Sequence, residues 1–175
     1  MSRPLDLDAV AQRLLAKHGL PTGRAVVLGR TLRTLPRTEL LDGEIVCEQG
    51  EPAGTLGILT RGRLEVRINR VSGARALVDG SGTPVAELQA PALFGHMSMI
   101  DGAERSATCV ALGRAQILSV SADRFRRLVD ASGAEAEVFR MLLWACMFDQ
   151  LAAGTSQIRD LLRTGPLQPT DVTSG

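Results

Sequence analysis

The chain has 175 residues and a mass of 18.6 kDa, which is the usual size of one domain and long enough to bury a hydrophobic core. Apolar residues make up 45% of it and charged residues 22%, so neither a disordered chain nor a membrane protein fits the composition. Twenty basic and nineteen acidic side chains give a net charge of +1, without the positive bias of a nucleic-acid-binding domain.

Residues 1–38 predict a helix followed by a basic connector. The helix spans Asp6 to His18, with Asp6 as its cap and Gly19 at its end. From Pro21 to Arg37 the sequence contains four arginines and no acid, which predicts an irregular connecting segment. The apolar side chains that share one face of the predicted helix are Leu7, Val10, Leu14 and Leu15.

Residues 43–120 predict an all-β domain. Short apolar or alternating runs recur at about the 8–12-residue spacing of barrels and sandwiches, separated by turn residues. The run Arg63–Asn69 alternates apolar and charged side chains, and Arg61-Gly62 before it is predicted to form a hairpin turn. The runs are Glu44–Cys47, Thr55–Leu59, Arg63–Asn69, Ala74–Val78, Val85–Leu88, Thr108–Ala111 and Ala115–Val120.

The remainder of the chain predicts two helices and a tail. Ser121 can cap a helix that runs to Val129, and a second helix covers residues 134–153 before Gly154. The second helix is apolar on nearly all sides, which predicts a homodimer through residues 134–153. The alternative is a helix buried wholly inside one chain. Residues 154–175 predict a short helix and a flexible tail.

Metal sites, catalytic motifs and membrane segments are not indicated. Cys47, Cys109 and Cys146 are widely spaced and form no CxxC, which suggests reduced thiols in the cytoplasm. His18 and His96 are too few for a metal enzyme, and no nucleophile motif or P-loop is present. The longest apolar run has eight residues, far short of the ~20 that span a bilayer. We therefore expect a cytoplasmic protein without catalytic residues, metal ligands or membrane insertion.

Residues 94–108 predict a cradle for one phosphate. Gly95 lets the backbone approach a ligand closely, and a short helix over His96–Ile100 would aim its N–H groups at an anion. The alternative is a surface loop whose arginine is merely solvated. The donors that follow the turn are the guanidinium of Arg105, the hydroxyl of Ser106 and the backbone N–H of Ala107.

These residues, together with motifs on either side, resemble the cyclic-nucleotide-binding domain family, the sensor module of catabolite-activator-type transcription factors, kinases and gated channels. The resemblance runs from about residue 41 to residue 148. Residues 42–51 are similar to the family's opening motif, residues 62–66 to its next hairpin, and residues 94–108 to its phosphate-binding cassette. Phe125 falls where the family keeps a helix-anchoring phenylalanine.

The resemblance implies a mainly β fold with flanking α-helices. That fold is an eight-stranded β-roll, of the double-stranded β-helix or jelly-roll type, with an N-terminal helix, a cassette helix and a long C-terminal helix. It places the cyclic-nucleotide-binding-like domain, including the long helix, at residues 39–153. The fold implied in this way agrees with the periodicity of the runs.

The resemblance also implies a ligand, such as cAMP, cGMP or a cyclic dinucleotide. In the family a cassette arginine and the following serine hold the cyclic phosphate, and a glutamate accepts hydrogen bonds from the ribose 2′-hydroxyl. The glutamate position is occupied here by His96, and a neutral imidazole offers only one acceptor. The nucleobase would lie near Gln150. The candidate ligand-binding residues are Gly95, His96, Met97, Ser98, Arg105, Ser106, Ala107 and Gln150.

We therefore expect a non-enzymatic regulatory module that acts through an unidentified protein partner. The alternative is a degenerate pseudo-receptor that binds no nucleotide and serves as a protein–protein scaffold. A DNA-binding regulator is a third hypothesis, but only 22 residues follow residue 153, where activators carry a helix-turn-helix domain. Residues 1–93 hold no Phe, Tyr or Trp on which a single-stranded base could stack, so recognition of RNA or single-stranded DNA by stacking is not expected. No nucleic-acid partner is expected.

Overall fold

The computed structural model describes residues 5–69 and 82–164. Within these residues two N-terminal helices are followed by five strands, a short helix, a sixth strand and two C-terminal helices. The strands are β1 (Arg37–Leu40), β2 (Ile45–Cys47), β3 (Thr55–Ile68), β4 (Thr83–Gln89), β5 (Ala92–Phe94) and β6 (Thr108–Ser121). The helices are α1 (Leu7–Lys17), α2 (Ala25–Arg33), α3 (His96–Asp101), α4 (Ala122–Asp130) and α5 (Ala134–Thr164), with a short 3₁₀ turn at Thr22–Arg24.

All strand pairs within the described residues are antiparallel, and the two long strands β3 and β6 form the centre of the sheet. The strand order is β1-β6-β3-β4, with β2 paired to β6 and β5 paired to β3. Leu59, Leu64 and Ile117 pack in the core of the roll, whereas the helices cover a second core at its end. The mainly β fold with flanking helices is confirmed.

The predicted hairpin turn at Arg61-Gly62 is wrong, because β3 continues through both residues. Gly62 has φ +80°, and the pairing of β3 with β6 shifts register around it. A Cβ at this position would lie 2.4 Å from the carbonyl oxygen of Arg114, so only glycine fits this close approach of the two strands. The turn signal therefore marks a bulge within one long strand.

The resemblance implies eight strands, whereas the part of the chain that the structure describes contains six. The runs Thr55–Leu59 and Arg63–Asn69 belong to the one strand β3, and Thr108–Ala111 and Ala115–Val120 belong to β6. The predicted run Ala74–Val78 lies outside the described residues.

The N-terminal helix is confirmed, but the basic connector is wrong. The Asp6 carboxylate caps α1 by accepting the N–H groups of residues 8 and 9 at 3.1 Å. Where a connector was predicted, α2 buries Ala25, Leu28 and Leu32, which recur at helical spacing. The connector's arginines serve as links between helices, because Arg33 pairs with Asp8 on α1 at 2.5 Å.

The C-terminal helices are confirmed with one change of boundary. The Ser121 hydroxyl caps α4 by accepting the N–H of Arg124 at 3.3 Å. The helix predicted over residues 134–153 continues through Gly154 to Thr164, so the predicted separate short helix is part of α5. A glycine inside a helix costs only about 1 kcal/mol relative to alanine, which is too little to end a helix by itself.

Only one face of α5 is buried within the chain. Phe139 and Leu142 pack in the helical core, whereas Trp144, Phe148 and Leu151 are 71%, 72% and 67% exposed. The alternative of a helix buried wholly inside one chain is therefore wrong. Among the described residues, no helix combines the length and apolar character needed to cross a membrane.

Candidate functional site

The eight candidate ligand-binding residues lie around one cavity of about 220 Å³ inside the roll. The wall is built from β2, β3, β4, the segment from β5 through α3 to the start of β6, and one side chain of α5. The sequence candidates that line it are Gly95, His96, Met97, Ser98, Arg105, Ser106, Ala107 and Gln150.

Gly95 joins β5 to α3 in a conformation that brings the backbone against Arg105. It is the N-cap of α3 with φ +72° and ψ 14°, a left-handed conformation that favours glycine. A Cβ on this residue would lie 2.4 Å from Nη1 of Arg105. The glycine is therefore required both by its backbone angles and by the guanidinium beside it.

The side chain of Arg105 is buried, 8% exposed, and its guanidinium bonds to backbone. Nη1 donates to the carbonyl oxygen of Gly95 at 3.1 Å, and Nη2 donates to the carbonyl oxygen and, at 3.1 Å, to the hydroxyl of Thr55. The backbone is held as well, because its N–H donates to the carbonyl of Glu51 and its carbonyl accepts from Gly50, both at 2.8 Å. The arginine is therefore fixed in the cavity wall.

No carboxylate pairs with Arg105 in the part of the chain that the structure describes. The adjacent Glu104 is exposed and contributes only its backbone carbonyl, which accepts a hydrogen bond from the Ser98 hydroxyl at 3.2 Å. Three of the five guanidinium donors are used, which leaves two for another acceptor. The positive charge of the cavity wall therefore has no carboxylate partner among the described residues.

His96 is the most deeply buried of the candidates, at 1% exposed. Neither ring nitrogen has a hydrogen-bond partner of normal geometry within the described residues. Burial lowers the pKa of His96; the nearby Gln150 side chain opposes this change and the charge of His18 adds to it. The ring is therefore held neutral in the cavity, with one donor and one acceptor unused.

The remaining candidates occupy the open side of the cavity. Met97, Ser106 and Gln150 are exposed, and Ala107 is half-buried. Gln150 is the only candidate on α5, so it connects the cavity to the helix whose other face is exposed.

Sequence reasoning missed three residues of the site. Thr55 holds the guanidinium of Arg105 from the start of β3, and no local pattern reveals this contact because the two residues are 50 positions apart in the sequence. Cys47 and Cys109 face each other across β2 and β6 and both line the cavity. Their positions inside the opening motif and directly after the cassette were the available signal.

His18 connects the end of α1 to α5. Its Nδ1 lies 2.5 Å from a carboxylate oxygen of Asp149, and its Nε2 lies 3.2 Å from the sulfur of Cys146. No cluster of three or more metal-ligating side chains is found within the described residues.

A family model described as "Cyclic nucleotide-binding domain" matches residues 37–132, more than half of the chain. The chain therefore belongs to the cyclic nucleotide-binding domain family, and the suspected resemblance is confirmed. A curated relative, a cyclic nucleotide-gated potassium channel of Mesorhizobium japonicum, is 31% identical over 114 residues. That match covers 65% of this chain and 28% of the length of the channel.

Solved structures share the fold, and two of them illustrate the likeness. A cyclic nucleotide-binding domain from Methylobacillus flagellatus superposes with a TM-score of 0.68 at 19% identity, covering 87% of this chain and 83% of that one. The catabolite activator protein of Thermus thermophilus superposes with a TM-score of 0.65 at 23% identity, covering 86% and 62%.

Proposed function

We propose that the chain is a non-enzymatic regulatory module that binds a cyclic nucleotide in the cavity around Arg105 and acts in the cytoplasm through a protein partner. The observation that carries the proposal is the buried guanidinium of Arg105, which has no carboxylate partner among the described residues. Burying a charge without a partner is costly, so an anion in the cavity would complete the site.

The phosphate of the nucleotide is the group best suited to this position. The two unused donors of Arg105 offer charge-assisted hydrogen bonds, which are about twice as strong as neutral ones. The Ser106 hydroxyl and the Ala107 backbone N–H lie on the same cavity wall and add neutral donors.

His96 would meet the rest of the ligand as a neutral ring. A neutral imidazole accepts one hydrogen bond, whereas the carboxylate found at this position in the family offers two anionic oxygens. We therefore expect His96 to contact a ligand hydroxyl and to give weaker binding than a glutamate would.

Ligand binding would be transmitted through α5 to a second copy of the chain. Gln150 lines the cavity from α5, and Trp144, Phe148 and Leu151 form an exposed apolar stripe at helical spacing on the same helix. Pairing of this stripe with its copy would give a homodimer. Ligand contact with Gln150 would then shift α5 between two packings.

Isothermal titration with cAMP, cGMP and a cyclic dinucleotide tests the binding proposal. We expect at least one of them to bind, with an affinity about tenfold lower in Arg105→Lys, because lysine keeps the charge but loses the planar fork. The matched control Arg114→Lys changes an exposed arginine outside the cavity and should bind as the wild type does. Equal affinity in Arg105→Lys and the wild type would overturn the phosphate assignment.

The pseudo-receptor scaffold is the second candidate, and the size of the cavity favours it. Its volume of about 220 Å³ is below the ~300–1,000 Å³ of most ligand pockets, and His96 fills part of the wall with unpartnered nitrogens. His96→Glu separates the two candidates. A gain of nucleotide affinity supports the receptor, whereas no heat from either the wild type or His96→Glu supports the scaffold.

A further inference from the structure

Two thiols face each other in the wall of the cavity. Cys47 on β2 is paired in register with Cys109 on β6, and both line the cavity. Directly opposed residues of an antiparallel pair place their side chains on the same face, with Cα atoms about 4.5–5.5 Å apart. That separation lies inside the ~4.4–6.8 Å range of disulfide bonds. The strand register therefore brings both thiols to one wall of the cavity, at the point where the pairing of β2 with β6 shifts between Ile45 and Cys47.

Both residues are free thiols, and their surroundings favour the ionisation of one of them. A hydrogen bond from the Cys109 thiol, assisted by the charge of Arg105 and opposed by burial, lowers the pKa of Cys47 to about 7. The same hydrogen bond raises the pKa of Cys109, so Cys47 is the thiol of the pair that ionises first. Burial raises the pKa of Cys146 to about 12, and that thiol lies in the helical core.

We propose that Cys47 and Cys109 form a reversible oxidation site, in which a small hydroperoxide converts the two thiols into a disulfide between β2 and β6. The argument rests on the register of the two strands, on the shared cavity through which a small oxidant can reach both sulfurs, and on the guanidinium of Arg105 beside them. Neither the fold family nor the ligand is needed for this chemistry.

The reaction balances in two steps with hydrogen peroxide as oxidant. The Cys47 thiolate attacks one peroxide oxygen, the O–O bond breaks, and the departing hydroxide takes a proton to become water, which leaves a sulfenic acid. The sulfur of Cys109 then attacks the Cys47 sulfur, the S–O bond breaks, and the hydroxide leaves with the Cys109 proton as a second water. Two thiols and one peroxide thus give one disulfide and two waters.

Oxidation would also change the cavity, a consequence that rests on the proposed function. The disulfide removes the thiolate that shares the cavity with Arg105, so the positive charge on the wall is no longer offset. The oxidised chain should therefore bind an anionic ligand more tightly than the reduced chain. The oxidation itself is measured without any nucleotide, so it can fail or succeed independently of the proposed function.

Peptide mapping of the whole chain tests the proposal. The reduced chain is treated with equimolar hydrogen peroxide, its remaining thiols are alkylated, and it is digested with trypsin. Cleavage after arginine places Cys47 in residues 38–61, Cys109 in residues 106–114 and Cys146 in residues 141–159. We expect the first two fragments to appear mainly as one linked species, lighter than their sum by two hydrogen atoms and separated by dithiothreitol.

Variants and the state of assembly complete the test. Cys47→Ala and Cys109→Ala should each abolish the linked species, whereas the matched control Cys146→Ala should leave it unchanged. Because the wild-type map is decisive by itself, a variant that fails to fold does not affect the result. The proposal is overturned if Cys47 is oxidised to sulfinic acid without a link, or if non-reducing electrophoresis shows the link only between chains.

Discussion

Gly95 lies directly against the guanidinium of Arg105, so one methyl group added at Gly95 should disturb the site. Gly95 and Gly102 both have positive φ, at +72° and +69°, and alanine would strain the backbone at either position by about 1–2 kcal/mol. Only at Gly95 would the new Cβ meet Arg105, at 2.4 Å, because nothing lies within 4 Å of a Cβ at Gly102.

Gly95→Ala should therefore displace the guanidinium, whereas Gly102→Ala should not. We expect similar losses of unfolding free energy from the backbone in both variants, but a loss of cyclic-nucleotide affinity of about tenfold or more only in Gly95→Ala. Calorimetric titration and chemical denaturation of the two variants measure both quantities. Equal nucleotide affinity in the two variants would show that Arg105 does not hold the ligand.

His96 should make the stability of the chain depend on pH. Burial lowers the pKa of the ring in the folded state below the ordinary value of about 6.5, so the unfolded state binds more protons in the interval between the two values. Stability therefore rises with pH across that interval and is lost as the pH falls below about 6.5.

His96→Gln removes the proton-binding group while keeping a polar side chain of similar length. The variant should lose less unfolding free energy than the wild type between about pH 8 and about pH 5.5. Urea denaturation at the two pH values provides the comparison, and because Cys47 is present in both proteins, its contribution cancels. Identical pH dependence in the two proteins would show that His96 is not buried as described.

At the scale of elements, α2 lies where the sequence predicted a connector, and its packing should contribute to the free energy of unfolding. Leu32 is fully buried in the helical core, whereas Val26 on the same helix is 52% exposed. Leu32→Ala should cost about 2–5 kcal/mol of unfolding free energy, and Val26→Ala about 0.5 kcal/mol or less. Denaturant titration measures both, and a small effect in Leu32→Ala would mean that the segment does not pack as a helix.

The limits of the sequence prediction follow from local and long-range effects. The helix α1 was predictable because its cap and its apolar face are local. The helix α2 has the same apolar spacing, but the four arginines in and around it favoured the prediction of a solvated connector. Two of these arginines form ion pairs, Arg24 with Glu137 and Arg33 with Asp8, and these long-range contacts cannot be read from the sequence. Charge content alone was a poor guide to a helix packed between two others.

The same contrast holds for the strands and the site. The bulge at Gly62 carries the sequence signal of a turn, and only the approach of the Arg114 carbonyl distinguishes the two. The candidate residues from Gly95 to Ala107 were predictable because they form one continuous segment. Thr55 and the pair Cys47 and Cys109 were not, because contacts between residues far apart in the sequence bring them to the cavity.

For the whole molecule, the exposed stripe of α5 is the contact that we propose between two copies of the chain. Trp144→Glu should shift the chain from dimer to monomer, because a carboxylate on an apolar interface would lose its hydration without gaining a partner. Stability of the monomer should change little, since the side chain is 71% exposed. Sedimentation equilibrium measures the association.

The matched control for that experiment is Val85→Glu, which places the same charge on an exposed apolar residue of β4. It should leave the dimer intact. A monomeric wild type, or equal dissociation in the two variants, would contradict the dimer through α5.

The central claim is that an anionic cyclic nucleotide binds against Arg105, and ¹⁵N–¹H NMR titration of the chain with cAMP and cGMP tests it most directly. The account predicts that the amide signals of Gly95, His96, Ser106 and Ala107 shift together and saturate with one dissociation constant. Signals of the exposed face of α1 should not follow that curve. The absence of saturable shifts with both nucleotides, or saturable shifts confined to residues outside the cavity, would contradict the account.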